Sequence, residues 1–217
     1  MIAVGLVVAT ATGCGGIGQP APYDSQGIDG LVIPTPTPDP DDFTTAIDNA
    51  WLPLAPGSSW RYDVTDDGTV IGTIESEVAA TTTEIAGLTA TAVETTTRID
   101  GEQVSTRFYA QDDEGNVWWL GADEGDGSWR AGEDGAEAGL AMPAGPRLGD
   151  GWLAHVVPGR PQASVQVADQ GRDMVQTRET TGETDTATLS YTSGVGPTGI
   201  EDLRAGWLAT LVDHQPA

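Results

Sequence analysis

The chain has no lysine, a single cysteine and only two histidines in 217 residues. Each shortage removes a class of function. With Cys14 alone, an intrachain disulfide, a redox pair and a thiolate zinc site are all excluded. His155 and His214 are far apart in sequence and lack neighbours at metal-ligand or triad spacing, so both read as edge or solvent residues of strands. A G-x-S-x-G elbow, a phosphate-binding loop and a dinucleotide glycine fingerprint are likewise missing. Carboxylates are so abundant that no single pair of them indicates acid and base catalysis. Basic charge is scarce too: 33 acidic residues face 9 arginines, for a formal charge of −24. Such a surface repels phosphate backbones and anionic headgroups, which argues against nucleic acid and against electrostatic docking to a membrane. It leaves cationic partners, metal ions and plain solubility.

The apolar run at the start, Met1 to Thr12, falls far short of the ~20 residues that a membrane span needs. It reads as the hydrophobic part of a secretion signal covering residues 1–13. Ala11-Thr12-Gly13-Cys14 resembles the bacterial lipobox, in which the cysteine is acylated and becomes the mature N-terminus. The motif favours Leu where Ala11 stands, and a basic stretch before the apolar run is lacking. Residues 14–42 then form a lipid-attachment and tether segment. Its alternating prolines from Pro34 to Pro40 stiffen the chain and remove amide donors, so it serves as a spacer outside any sheet.

Residues 43–217 make one domain of ordinary size, with seven tryptophans spread from Trp51 to Trp207 as its apolar anchors. Helical periodicity is almost absent. Alternation of apolar and polar residues marks strands from Trp60 to Val64, from Val70 to Val78, from Leu88 to Ile99 and from Val104 to Phe108, with Asp100-Gly101 expected as a two-residue hairpin turn. Phe108 to Gly121 (FYAQDDEGNVWWLG) is the clearest hairpin, and its adjacent Trp118 and Trp119 must face opposite sides of the sheet. Gly121 to Asp150 has no periodicity and reads as a loop. Strand signals resume at Trp152 and run to a last hairpin around Ala205-Gly206. The fold expected is all-β with little helix, a single antiparallel meander sheet or half-barrel. Gly57-Ser58-Ser59-Trp60 is echoed by Gly149-Asp150-Gly151-Trp152, and Tyr109 by Tyr191, which suggests two related meander units; chance likeness among meanders is the rival explanation.

Candidate sites follow from these elements. Trp118, Trp119 and Trp129 are candidate walls of a pocket, since a sheet with large aromatics on both faces must cover both or leave one as a concave wall. Asp112, Glu114 and Asn116, with Asp123 and Asp126, offer oxygen ligands for Ca²⁺, although neither group fits the D-x-[DN]-x-[DN]-G loop and the first is explained as turn chemistry. No other cofactor is expected.

Three blocks together carry a resemblance. They are Phe43 and Ile47-Asp48-Asn49 with Pro53-Leu54, Pro56-Gly57, Trp60 and Tyr62; Tyr109-Ala110-Gln111-Asp112 with Gly115-Asn116-Val117-Trp118; and Gly127, Trp129, Ala131-Gly132, Asp134-Gly135-Ala136, Gly139, Met142-Pro143-Ala144, Pro146 and Gly149-Asp150. A weaker fourth is Tyr191 with Gly194-Val195-Gly196. The chain resembles a family of exported, mostly lipid-anchored β-rich proteins found especially in actinobacteria. That resemblance implies location and fold and brings no activity with it. The expected role is a non-enzymatic surface lipoprotein binding an apolar or small ligand or an envelope partner, with the membrane reached through its lipid. A structural or Ca²⁺-binding surface protein and a hydrolase using carboxylates within residues 121–150 are the alternatives. Metabolic labelling with a clickable fatty acid should tag the protein and fail on Cys14→Ser; an unlabelled wild type removes the anchor.

Overall fold

The computed structural model of the chain describes residues 39–217; the signal, Cys14 and nearly all of the proline spacer lie outside the described residues. Strands β1 (Phe43–Thr44), β2 (Ser59–Asp66), β3 (Thr69–Ile85), β4 (Leu88–Arg98) and β5 (Glu102–Asp112) are followed by β6 (Val117–Asp123), β7 (Trp129–Arg130) and β8 (Glu137–Met142). The second half adds β9 (Gly151–Val156), β10 (Ala163–Gln170), β11 (Met174–Thr181), β12 (Thr184–Thr192), β13 (Gly196–Asp202) and β14 (Leu208–Gln215).

All fourteen strands belong to one antiparallel sheet. Apart from β1 and β7, which add two-residue ladders beside β5 and β6, every strand pairs with its neighbours in chain order, and β14 pairs back onto β2. The all-β meander expected from the alternation is therefore present. It is more closed than a half-barrel: it forms an irregular ring, with a bulge or register shift in most of its ladders. Closure is a long-range event that alternation along one strand cannot announce.

Turn chemistry sets the register locally. Asp67 and Gly68, and again Ala86 and Gly87, both adopt positive φ, the geometry that a two-residue antiparallel hairpin requires. At Asp100-Gly101 the outcome differs from expectation. Arg98 pairs with Glu102, which leaves three residues in the turn, and only Gly101 has positive φ. Arg98 is held there by ion pairs to Glu75 at 2.7 Å and Glu102 at 2.9 Å.

Residues 121–150 also differ from the expected loop, because they contain β7 and β8. Strand β8 reads Glu-Ala-Gly-Leu-Ala-Met, and small residues on both faces hide the alternation. They are small for a reason: a Cβ on Gly139 would overlap the backbone of Ala154, where β8 meets β9 through only two paired residues.

The echo between the halves has a structural counterpart. Gly57 N–H donates to the Val78 carbonyl at 2.9 Å and Val78 N–H to that of Ser58 at 2.9 Å; Gly149 donates to Val167 at 3.0 Å and Val167 to Asp150 at 2.8 Å. Gly57 and Gly149 have φ of 87° and 89°, and the register slips just after Val78 and again just after Val167. Each half thus fastens the glycine before its Trp strand to a bulge in the next strand.

The segment 46–57, between β1 and β2, lies across one end of the ring. Asn49 is 5% exposed, and its side chain donates to the carbonyls of Gly115 (2.8 Å) and Pro143 (3.1 Å) and accepts from the amides of Trp51 (2.8 Å) and Leu52 (3.0 Å). Gln111 Oε1 accepts from the amides of Asp48 and Asn49, both at 2.9 Å. On the far side, Gly194 N–H donates to the Ala50 carbonyl at 2.7 Å. The segment is therefore tied to the β5–β6 turn, the end of β8 and the β12–β13 turn, and it plugs that end.

Apolar side chains gather in two cores. One contains Leu88, Phe108, Trp118, Leu120, Leu140 and Trp152, and the other contains Leu54, Trp60, Tyr62, Val78, Val117 and Tyr191. Adjacent Val117 and Trp118 serve different cores, as the two faces of one extended strand require.

Gly139→Ala should lower the denaturation free energy by roughly 1–3 kcal/mol, the scale of overpacking. Gly145→Ala, which meets nothing within 4 Å, should stay within ~0.5 kcal/mol of wild type. Equal denaturant midpoints for the two variants would contradict the tight β8–β9 seam.

Candidate functional site

A cavity of about 370 Å³ lies inside the ring. Leu52 and Leu54 of the plug close one end, and strand registers carry the lining to Thr97, Ser105 and Trp207 at the opposite strand ends. Its wall is mostly apolar and draws on both halves of the chain. Only two charged residues line it, Arg107 from β5 and Glu179 from β11, together with the phenols of Tyr109 from β5 and Tyr191 from β12. The two echoed tyrosines are thereby brought to one cavity. Alternation along β5 marks the strand but not which face meets the hollow: Phe108 is buried in a core on the other face. Val104 is 52% exposed, and Ser105, Arg107 and Tyr109 face the cavity.

Arg107 lines the hollow, and its side chain keeps 46% of its accessible surface. Its guanidinium lies 4.7 Å from the Trp119 ring centre and donates from Nε to Glu124 at 3.3 Å. Burial opposes its charge, but Tyr109, Glu179 and Glu124 outweigh that and raise its pKa. Glu179 is the opposite case. Burial raises the pKa of its carboxyl, Arg107 opposes this only in part, and among the described residues its carboxylate has no ion pair and no hydrogen bond. Burial likewise raises the phenols of Tyr109 and Tyr191, and the Glu179 charge pushes both further up.

Beside Arg107 the cavity wall becomes an aromatic partition. Trp119 packs edge-on against His155 (4.8 Å) and Trp129 (5.5 Å), while His155 stacks on Trp129 at 5.3 Å. Beyond Trp129 an outer cleft of about 610 Å³ is lined by Asp123, Arg130 and Arg160 among others. His155 Nδ1 is buried without a partner, and burial, followed by Arg160 and Arg107, lowers the imidazole pKa. The neutral ring is the form that fits.

The residues singled out in the sequence separate accordingly. Trp119 lines the cavity, Trp118 is packed in a core, and Trp129 faces the outer cleft. Asp112 acts as a turn brace: its carboxylate accepts from the Asn116 amide (2.8 Å), Asn116 Nδ2 (3.0 Å) and Trp118 Nε1 (2.8 Å). Asn116 Oδ1 is taken by the Ala144 amide at 3.0 Å, and Glu114 is exposed at the turn. Asp123 is held by Arg130 through both carboxylate oxygens, at 2.9 and 2.8 Å, and this guanidinium lowers its pKa. The side chain of Asp126 lies outside what the structure describes. Among the described residues no three acidic, histidine or cysteine side chains converge as a metal group. Sequence reasoning gave Arg107 and Glu179 no place in a site; the echo of the two halves pointed toward them, since Tyr109 shares a strand face with Arg107 and Glu94-Thr95-Thr96 is repeated as Glu179-Thr180-Thr181.

No protein-family model and no curated protein matches the chain. A solved structure similar to it is that of a Bacteroides fragilis protein assigned as exported, with a YmcC-like fold. The match covers 77% of this chain and 100% of that one, at 12% identity and a TM-score of 0.43.

Because the folded state favours neutral His155, its contribution to stability is full above the ordinary imidazole pKa and is lost as pH falls through the lowered one. His155→Phe should therefore lose less stability than wild type on going from about pH 7 to about pH 5. Thermal melts of the two proteins across that range check this; parallel losses would remove His155 as a contributor.

Proposed function

We propose that this protein is an exported, lipid-anchored binding protein, non-enzymatic, which holds a small and largely apolar ligand inside its ring. The observation that carries this reading is the cavity of about 370 Å³, a size suited to a small molecule, with a predominantly apolar wall and a few polar groups set within it. Its neighbouring elements support retention rather than turnover. Nucleophile and base pairing is missing from the lining residues, and the carboxylates of Asp112 and Asp123 are engaged by Asn116 and Trp118 and by Arg130. Export and anchoring rest on the apolar leader and Cys14, and the proline spacer sets the domain away from the surface.

Attachment of the spacer has a geometric consequence. Asp113 N–H donates to the Asp42 carbonyl at 2.9 Å, so the tether joins at the plugged end of the ring. The end with Thr97, Ser105 and Trp207 lies opposite the point where the tether joins.

Ala187 is paired with Glu179 on the cavity face of β12, and enlarging it should fill the hollow. Organic extraction of purified protein followed by mass spectrometry should release a bound compound from wild type, and Ala187→Phe, or independently Ala141→Phe, should release at least ~10-fold less at an unchanged melting temperature. An extract of wild type that matches a blank, together with no binding of any apolar probe, overturns the reading.

A further inference from the structure

The charges around the cavity do not balance, and the imbalance falls on one residue. Of the two charged residues in the wall, Arg107 has a partner, Glu124 at 3.3 Å, just outside the lining. Glu179 has none: among the described residues no basic group lies in ion-pair range of it, and its only hydrogen bond is at the main chain, where its carbonyl accepts from Thr186 Oγ1 at 3.3 Å. Arg178, the preceding residue, turns the other way and pairs with Asp185 at 3.5 Å. Counting Glu124, the three groups carry one net negative charge when all are ionised; Arg107 acts on Glu179 from beyond ion-pair range and opposes only in part the rise that burial gives its pKa. A carboxylate in so apolar a space is costly unless something pairs with it.

Its surroundings favour a particular kind of partner. Tyr109 and Tyr191 are close enough to Glu179 for its charge to raise both phenols, and Trp60, Trp119 and Trp207 also line the wall. Aromatic faces attract a cation through their quadrupole, and a carboxylate among them supplies the counter-charge and a hydrogen-bond acceptor. The excess of 33 acidic over 9 basic residues raises the local concentration of cations around the whole protein. An anionic ligand would meet that field and Glu179 together, with the one cation of the wall already paired with Glu124 and held in the field of Glu179.

We infer that the cavity takes a monocationic amphiphile, an amine on a compact apolar or aromatic body, with the ammonium seated on Glu179 between Tyr109 and Tyr191. This rests on the binding role proposed above and narrows it to one chemical class. Thr95, Ser76 and Ser105 line the same hollow and leave room for a second, weaker polar contact, while the leucines of the plug receive the apolar end.

Three probes that share a body and differ in head separate the possibilities: phenylbutylamine, phenylbutanol and phenylbutyrate. The protein is prepared with Cys14→Ser so that no acyl chain competes for the cavity. Binding is read by calorimetry and by quenching of intrinsic tryptophan fluorescence. The amine should bind ~10-fold or more tighter than the alcohol and the acid, as expected when a charge-assisted hydrogen bond is made or lost. Glu179→Gln should erase that preference while leaving the alcohol unchanged; Glu179→Asp, which keeps the charge, should retain part of it and covers the case in which the amide variant misfolds. If the acid or the alcohol binds as well as the amine, the cationic class is overturned and the cavity reading survives. If none of the three binds and the organic extract is empty, both fall.

Discussion

The buried amide of Asn49 makes every bond open to it, two as donor and two as acceptor, and through them it joins the plug to the β5–β6 turn and the end of β8. A ring of paired strands is open at both ends, and an apolar hollow inside it would flood. The plug prevents this at one end, and the plug has almost no secondary structure of its own. Its shape is dictated by side-chain hydrogen bonds: Asn49 and Gln111 supply the partners that main-chain ladders supply elsewhere. A satisfied buried network of this sort specifies one arrangement, because each partner removed leaves a buried donor or acceptor at a cost of about 1–3 kcal/mol. The cavity depends on it.

This also explains what the family-like blocks are. Asp48, Asn49, Gln111, Asp112, Asn116, Pro143 and Ala144 come from three separate stretches of the chain, and all meet in the bracing of the plug and the β5–β6 turn. Those residues are scaffold. The blocks also supply Leu54, Trp60, Tyr62, Tyr109 and Tyr191 to the cavity wall, whereas its two charged groups, Arg107 and Glu179, fall outside them.

Much of the fold was legible and most of the site was not, for one reason. Strands β2 to β6 and β10 to β14 announce themselves through alternation and turn residues, which act over a few positions. Strand β8 was invisible because the close approach to Ala154 demands Gly139 and leaves room only for small neighbours. Glu179 reads in sequence as one of 33 acidic residues, and only pairing across the ring places it opposite Tyr109 and Arg107. Trp118 and Trp119 show both sides of this limit. Strand geometry correctly separates their faces, but which face meets a hollow is decided by strands far away in the chain. Even the absence of lysine acquires sense: Arg107 lies over Trp119, and Arg130 lies 4.2 Å above Phe108 while gripping Asp123, a planar role that an ammonium cannot fill.

Closure of the ring carries an arithmetic of its own. Neighbours in it always run in opposite directions, so the last strand can meet the first only if the number of strands is even; here it is twelve, with β1 and β7 set aside. Loss or gain of a single strand would bring two parallel edges together and change the hydrogen-bond pattern of the seam. A ring that keeps every neighbour antiparallel can therefore widen or narrow only by whole hairpins, and its bore, with the size of molecule it admits, then changes in steps rather than by degrees.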